Sequence, residues 1–150
     1  MFEHVEDLEC ILDQQARILK AGGEAMHCFP GKRNIWEHHL QMPFVHWLPK
    51  NRVRRHWIST MMALGLGPAK NSWPKLFDAP KSQRVETYFN YLNQQTFYRS
   101  TSQLKQQAEQ RGFQASFKII GVPSTILRYF SLIRDGFPLG WIVLHLKKTT

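Results

Sequence analysis

Histidines, carboxylates and basic side chains are concentrated in a few short stretches of this 150-residue chain. The densest is Trp36-Glu37-His38-His39, followed by Pro43-Phe44-Val45-His46-Trp47-Leu48-Pro49. Imidazole exchanges protons near neutral pH, so His39 or His46 can position or deprotonate a nucleophile held beneath this segment. His38, His39 and His46 with Glu37 also offer metal-ligand chemistry, but their spacing matches no compact ligand motif and no helical His-x-x-x-His pair is present. No metal is therefore expected. The alternative for the stretch is structural: a loop pinned by Phe44, Trp47 and Leu48 docking on the domain. A basic stretch follows, with Lys50, Arg52, Arg54 and Arg55 ahead of Trp57 and Lys32-Arg33 upstream. Basic groups flanked by a stacking ring grip phosphates, although a solvated helix face has the same composition. Serine, cysteine and aspartate form no triad spacing and the glutamates no acid pair, so nothing points to a hydrolase.

These groups must be positioned by an α/β framework. Asp7 to Lys20 carries Leu8, Ile11, Leu12, Ile18 and Leu19 at helical spacing, and Gly22-Gly23 ends it. Glu24 to Phe29 reads as a short buried strand closed by Pro30-Gly31. Gly31 to Pro49 has no period and reads as an ordered surface excursion packing through its aromatics. Val53, Trp57, Ile58, Met61 and Met62 mark a helix over 50–64, and Val85, Tyr88, Phe89 and Leu92 another reaching Phe97. Thr101-Ser102 caps a helix with Leu104 and Ala108 inward, stopped at Gly112. Gln114 to Ile120 alternates as a strand, Pro123 to Ile133 is helical by spacing, and Gly140 to Lys148 is a closing strand apolar on both faces.

Composition narrows the class further. With 43% apolar residues, the chain is long enough for one core-bearing domain. Twenty Lys and Arg against eleven Asp and Glu give a formal +9, which favours anionic partners. Cys10 and Cys28 have no metal spacing and apolar neighbours, so both thiols are expected reduced and buried. The acidic opening Glu3 to Asp7 is unlike a signal peptide, and no apolar run approaches a membrane span. A cytoplasmic location with no membrane span is the expectation.

Three motifs resemble the class I S-adenosylmethionine-dependent methyltransferases. Glu3-His4-Val5, then Ala16-Arg17-Ile18-Leu19-Lys20-Ala21-Gly22-Gly23 before a strand, resembles the segment after that family's fourth strand. The stretch Trp36 to His39 with Pro43 to Pro49 is similar to a substrate-side insertion in one branch, with His38 in place of the usual proline. Tyr98-Arg99-Ser100-Thr101 leading to Arg111-Gly112-Phe113 looks like its last helix. The resemblance implies methyl transfer from S-adenosylmethionine to a small molecule, by in-line displacement that mainly needs alignment, and the basic stretch favours an anionic one. It implies Glu3 and His4 beside the cofactor and Trp36, His39, Phe44, His46 and Trp47 as a substrate lid. For Glu3 and His4 the alternative is a histidine that fixes the turn into the first helix.

The resemblance covers only the carboxyl-terminal half of that domain. No strand ends in Gly-x-Gly-x-Gly, and no acidic residue closes a second strand. The expected fold is therefore a partial Rossmann-like, three-layer α/β arrangement within a single domain. It has a small mixed sheet in the order 24–29, 140–148, 114–120, an antiparallel closing strand and a lid-like insertion over about 31–98. The bare edge of strand 24–29 implies self-association or pairing with a missing amino-terminal half. The resemblance therefore leaves catalysis by this chain alone open. Other readings are a non-catalytic interaction module derived from a methyltransferase and a basic RNA-associated protein, with nucleic-acid recognition the less favoured partner.

Overall fold

The computed structural model describes residues 2–120 and 140–149. The helix expected over Pro123–Ile133 lies outside the described residues. Among those described, the chain is mixed α/β and divides into two compact units: Met1–Asn34 with Phe97–Thr150, and Ile35–Thr96. The second occupies most of the stretch 31–98.

In the first unit a short 3-10 turn, Phe2–His4, leads to α1, Leu8–Ile18. Asp7 caps α1 by accepting from the Cys10 N–H at 2.9 Å. Gly22 adopts φ +75°, the left-handed reversal a side chain resists, and delivers the chain to β1, Glu24–Pro30. Helix α5, Thr101–Glu109, precedes β4, Phe113–Ile120, and the described chain closes on β5, Trp141–Lys148. The α5 cap is Ser100 rather than Thr101-Ser102. Ser100 Oγ accepts from the Gln103 N–H while the Gln103 side chain accepts from the Ser100 N–H, a reciprocal box that needs residues three apart.

The sheet order is β1-β5-β4, as expected, with β5 antiparallel to both neighbours. The expectation of a mixed sheet is corrected: both pairings are antiparallel, because the described strands running the same way, β1 and β4, meet only β5. Ala25, His27 and Phe29 share one face with Ile142, Leu144, Leu146, Phe113 and Ala115. Leu8 and Leu12 of α1 and Leu104 and Ala108 of α5 complete that core. The described helices of this unit thus cover one sheet face, where three layers were expected. On the other face Met26 is 74% exposed and Cys28 is exposed, so β1 is half-buried rather than buried. Cys10 is exposed too, which corrects the buried-thiol reading. Each cysteine lies on the side its element's alternation turns outward.

The second unit opens with a hairpin of β2, Trp36–Glu37, and β3, Met42–Pro43. It continues through α2, Arg52–Ala63, the single-turn α3, Pro74–Phe77, and α4, Lys81–Gln94. Its core joins Leu40, Met42 and Val45 to Ile58, Met61, Val85, Tyr88 and Leu92. The stretch 31–49 is thus no surface excursion. Its small and aliphatic residues are interior, while Trp36, Phe44 and Trp47 are 42%, 39% and 49% exposed. No described helix is long and apolar enough to cross a membrane.

Candidate functional site

Glu3 and His4 stand in the turn before α1, and Glu3 lies beside the carboxyl end of β1. The turn is held by its backbone. Phe97 N–H donates to Glu3 O at 2.7 Å, and the Arg99 guanidinium donates to Phe2 O at 3.2 Å and Glu6 O at 2.6 Å. Burial pulls the Arg99 pKa below its ordinary value, opposed by the charge of Asp7. The Phe2 ring stacks on His27 with centroids 4.0 Å apart. Glu3 is 3% exposed, yet its carboxylate receives no hydrogen bond from any described residue; His4 Nε2 is 3.8 Å away. A buried carboxylate without donors is costly and calls for an explanation. It borders a narrow crevice of about 10 Å³ formed with Phe2, Phe29, Pro30 and Leu104. That is below the usual span of small-ligand sites, roughly 300 to 1,000 Å³.

The second unit carries a built dyad. Glu37 ends β2 and is 1% exposed; Oε2 accepts from the Leu40 N–H at 2.6 Å and Oε1 lies 2.7 Å from His39 Nδ1. The tight reversal between β2 and β3, with Gln41 at φ +52°, makes this geometry possible by returning Leu40 and His39 over the carboxylate. With Nδ1 on a carboxylate, the neutral imidazole carries its proton there and presents Nε2 as a base. The carboxylate also stands beside any positive charge that develops on the ring. His39 is half-buried and meets Tyr91 edge-on at 5.5 Å, while its carbonyl accepts from Trp73 Nε1 at 3.4 Å.

Of the five residues expected as a lid, His39 is the one in a proton-transfer arrangement. Phe44 and Trp47 are in ring contact at 5.1 Å, and His46 meets Trp47 at 6.1 Å. Trp36 lies exposed on β2. Phe44 and Trp47 are about half-buried, and polar contacts also pin the loop. Phe44 N–H donates to Ile35 O at 2.7 Å, and Trp57 Nε1 donates to Pro43 O at 2.8 Å. Phe44 takes φ +58°, a strained conformation for a bulky residue and one that accumulates at functional sites.

Arg54 also belongs to this anchoring and not to the basic face expected of it. It is buried and donates to Leu48 O, to His46 O at 3.4 Å and to Asn93 Oδ1 at 2.7 Å. Spacing contained that signal: Arg54, Ile58 and Met61 fall at i, i+4 and i+7 on the inward stripe of α2, whereas Val53 turns out to solvent. Lys50 Nζ donates to Asn93 O at 2.8 Å. Arg52 and Arg55 do face solvent, with His56 and Lys81, along an open groove of about 690 Å³ between α2 and α4. Arg55 is partly neutralised by Glu86 at 3.2 Å and lies over the Phe89 ring. Comparison of the chain with known protein families, with curated proteins and with solved structures returned no match.

Proposed function

We propose that the chain is the substrate side of an S-adenosylmethionine-dependent methyltransferase acting on a small nucleophilic molecule. The observation that carries this reading is the Glu37–His39 pair at 2.7 Å, a fixed base of the kind that frees a hydroxyl or amine for attack. The β1-β5-β4 order, with β5 antiparallel, supports a Rossmann-like origin of the sheet. In this reading His39 Nε2 takes the acceptor's proton, Glu37 holds the ring, and Trp36, Phe44, His46 and Trp47 form the apolar cover. The donor supplies an electrophilic methyl group.

The described residues do not fit that donor whole. The unsatisfied Glu3 carboxylate suits a cationic or hydrogen-bonding end, with His4 beside it, but the crevice there is too small for a nucleoside. No described glycine opens a strand-to-helix junction: Gly31 leaves β1 for the β2 hairpin, and a Cβ on it would sit 3.2 Å from Ile142. The test is a titration of isotope-labelled chain with S-adenosylmethionine, followed by amide resonances. Perturbations confined to Phe2–Val5, Phe29 and Gly31, and lost in Glu3→Gln, are expected. No perturbation at millimolar donor overturns the reading.

A second reading then stands, a non-catalytic module that pairs through β1. It is favoured by the place of β1 at the sheet edge and by the outward Met26 and Cys28. Sedimentation of the chain, which would show concentration-dependent association abolished by a proline in β1, tests it.

A further inference from the structure

A second recess lies wholly within the unit 35–96 and is lined by none of the dyad or lid residues. Helix α2 ends in a reversal through Gly65, at φ +78°, with the Leu66 N–H reaching back to Met61 O at 2.9 Å. Leu66 and Pro68 line one recess together with Met62 and with Phe77 of α3. Arg84 and Tyr88, one turn apart on α4, complete this open recess of about 160 Å³, room for a small ligand only.

The walls present polar and apolar surface in nearly equal measure: the apolar side chains are Met62, Leu66, Pro68 and Phe77, and the single charged one is Arg84. Its Nε is buried and meets no hydrogen-bond acceptor, and among the described residues Arg84 joins no ion pair. The acid nearest in sequence, Glu86, is engaged with Arg55. Lys70 stands over the Phe77 ring at 5.3 Å and adds positive potential. Burial raises the Tyr88 hydroxyl pKa, against the opposing charge of Arg84, so the phenol stays neutral and able to donate. A buried guanidinium nitrogen without an acceptor costs folding free energy unless something supplies one. The planar guanidinium fork matches a carboxylate, and the apolar side chains match an apolar body.

We propose that this recess binds a small carboxylic acid with an aromatic or aliphatic body, its carboxylate on Arg84 and its body against Met62, Leu66 and Phe77. The proposal does not rest on the methyl-transfer reading. It is tested on the intact chain by amide-resonance titration with benzoate, hexanoate, benzamide and inorganic phosphate. Benzoate or hexanoate should saturate with shifts centred on Leu66, Arg84 and Tyr88, and benzoate should bind at least about tenfold more tightly than its neutral isostere benzamide. Arg84→Gln should erase the preference for acid over amide, Arg84→Lys should restore part of it, and Leu66→Trp should block both. Equal binding of benzoate and benzamide to the unaltered chain would overturn the carboxylate assignment. Phosphate binding as tight as benzoate would overturn the apolar body, and no saturation by either acid would overturn the site.

Discussion

Replacement of Glu37 tests whether the dyad is a rigid unit. Its carboxylate takes two short bonds, from the Leu40 N–H at 2.6 Å and with His39 Nδ1 at 2.7 Å, in a place almost closed to water. Hydrogen bonds to a charged group contribute about 1.5 to 3 kcal/mol each and neutral ones about 0.5 to 1.5. Glu37→Ala removes both and leaves a buried N–H unmet, so a loss of about 3 to 5 kcal/mol is expected. Glu37→Gln keeps an acceptor for Leu40 and removes the charge beside His39, so a loss of about 1 to 2 kcal/mol is expected. Against a total stability of roughly 5 to 15 kcal/mol, the first is a large fraction. Urea denaturation measures both values, and nitrogen chemical shifts of His39 report the tautomer. The expected result is a proton on Nδ1 in the native chain and a mixed tautomer population in Glu37→Gln. A native ring protonated on Nε2 alone, or losses below about 1 kcal/mol in both variants, would refute the account of Glu37 as the anchor of a base.

Arg54→Met should cost about 3 kcal/mol or more, because it strands the Leu48 and His46 carbonyls, and Arg54→Lys should recover part of the loss; thermal denaturation separates them. Burial holds the pKa of His27 below its ordinary 6.5, with the amino-terminal charge adding to the effect, while Gln15 bonds its ring. The unfolded chain therefore protonates first. The stability this ring contributes is complete above about pH 6.5 and declines as pH falls through that value, by at most about 1.4 kcal/mol per pH unit. Denaturation midpoints near neutral and mildly acid pH should differ less in His27→Gln than in the native chain. Phe44→Gly exchanges backbone strain of about 1 to 2 kcal/mol for a half-exposed ring, so stability should change by less than about 1 kcal/mol. A large loss would show the ring to be structural.

Helices α1, α2, α4 and α5 were legible from their apolar spacing, and the strand order from the resemblance carried by residues 16–23 and 98–113. The hairpin unit was not. Leu40, Met42 and Val45 have no period of their own and become a core only when Ile58, Met61, Val85 and Leu92 close over them. Aperiodic segments buried by distant partners give no local signal. The same limit applied to Glu37, read with three histidines as possible ligands, when what matters is the fold-back that sets it on His39. The α3 turn was hidden in a proline-rich link, and the recess at Arg84 depends on a reversal that only the Gly65 conformation creates.

The hairpin loop inverts the usual division of labour between aromatic and polar residues. Loops are commonly pinned by burying their large rings, with polar groups left in water. Here Glu37, Arg54 and the Trp57 indole fix the backbone through hydrogen bonds, while Trp36, Phe44 and Trp47 stay substantially exposed and Phe44 holds a strained φ. Buried polar anchors are costly to satisfy, and three half-exposed rings forgo about half of the roughly 1.5 to 3 kcal/mol that full burial of a large side chain contributes. A loop built this way has its conformational entropy removed before any ligand arrives, so burial of the rings against an acceptor can appear largely as affinity. If apolar docking alone set the loop, its rings would point inward and Arg54 would be replaceable by methionine at little cost. The Arg54→Met measurement therefore decides whether the aromatic surface is held ready or merely left over.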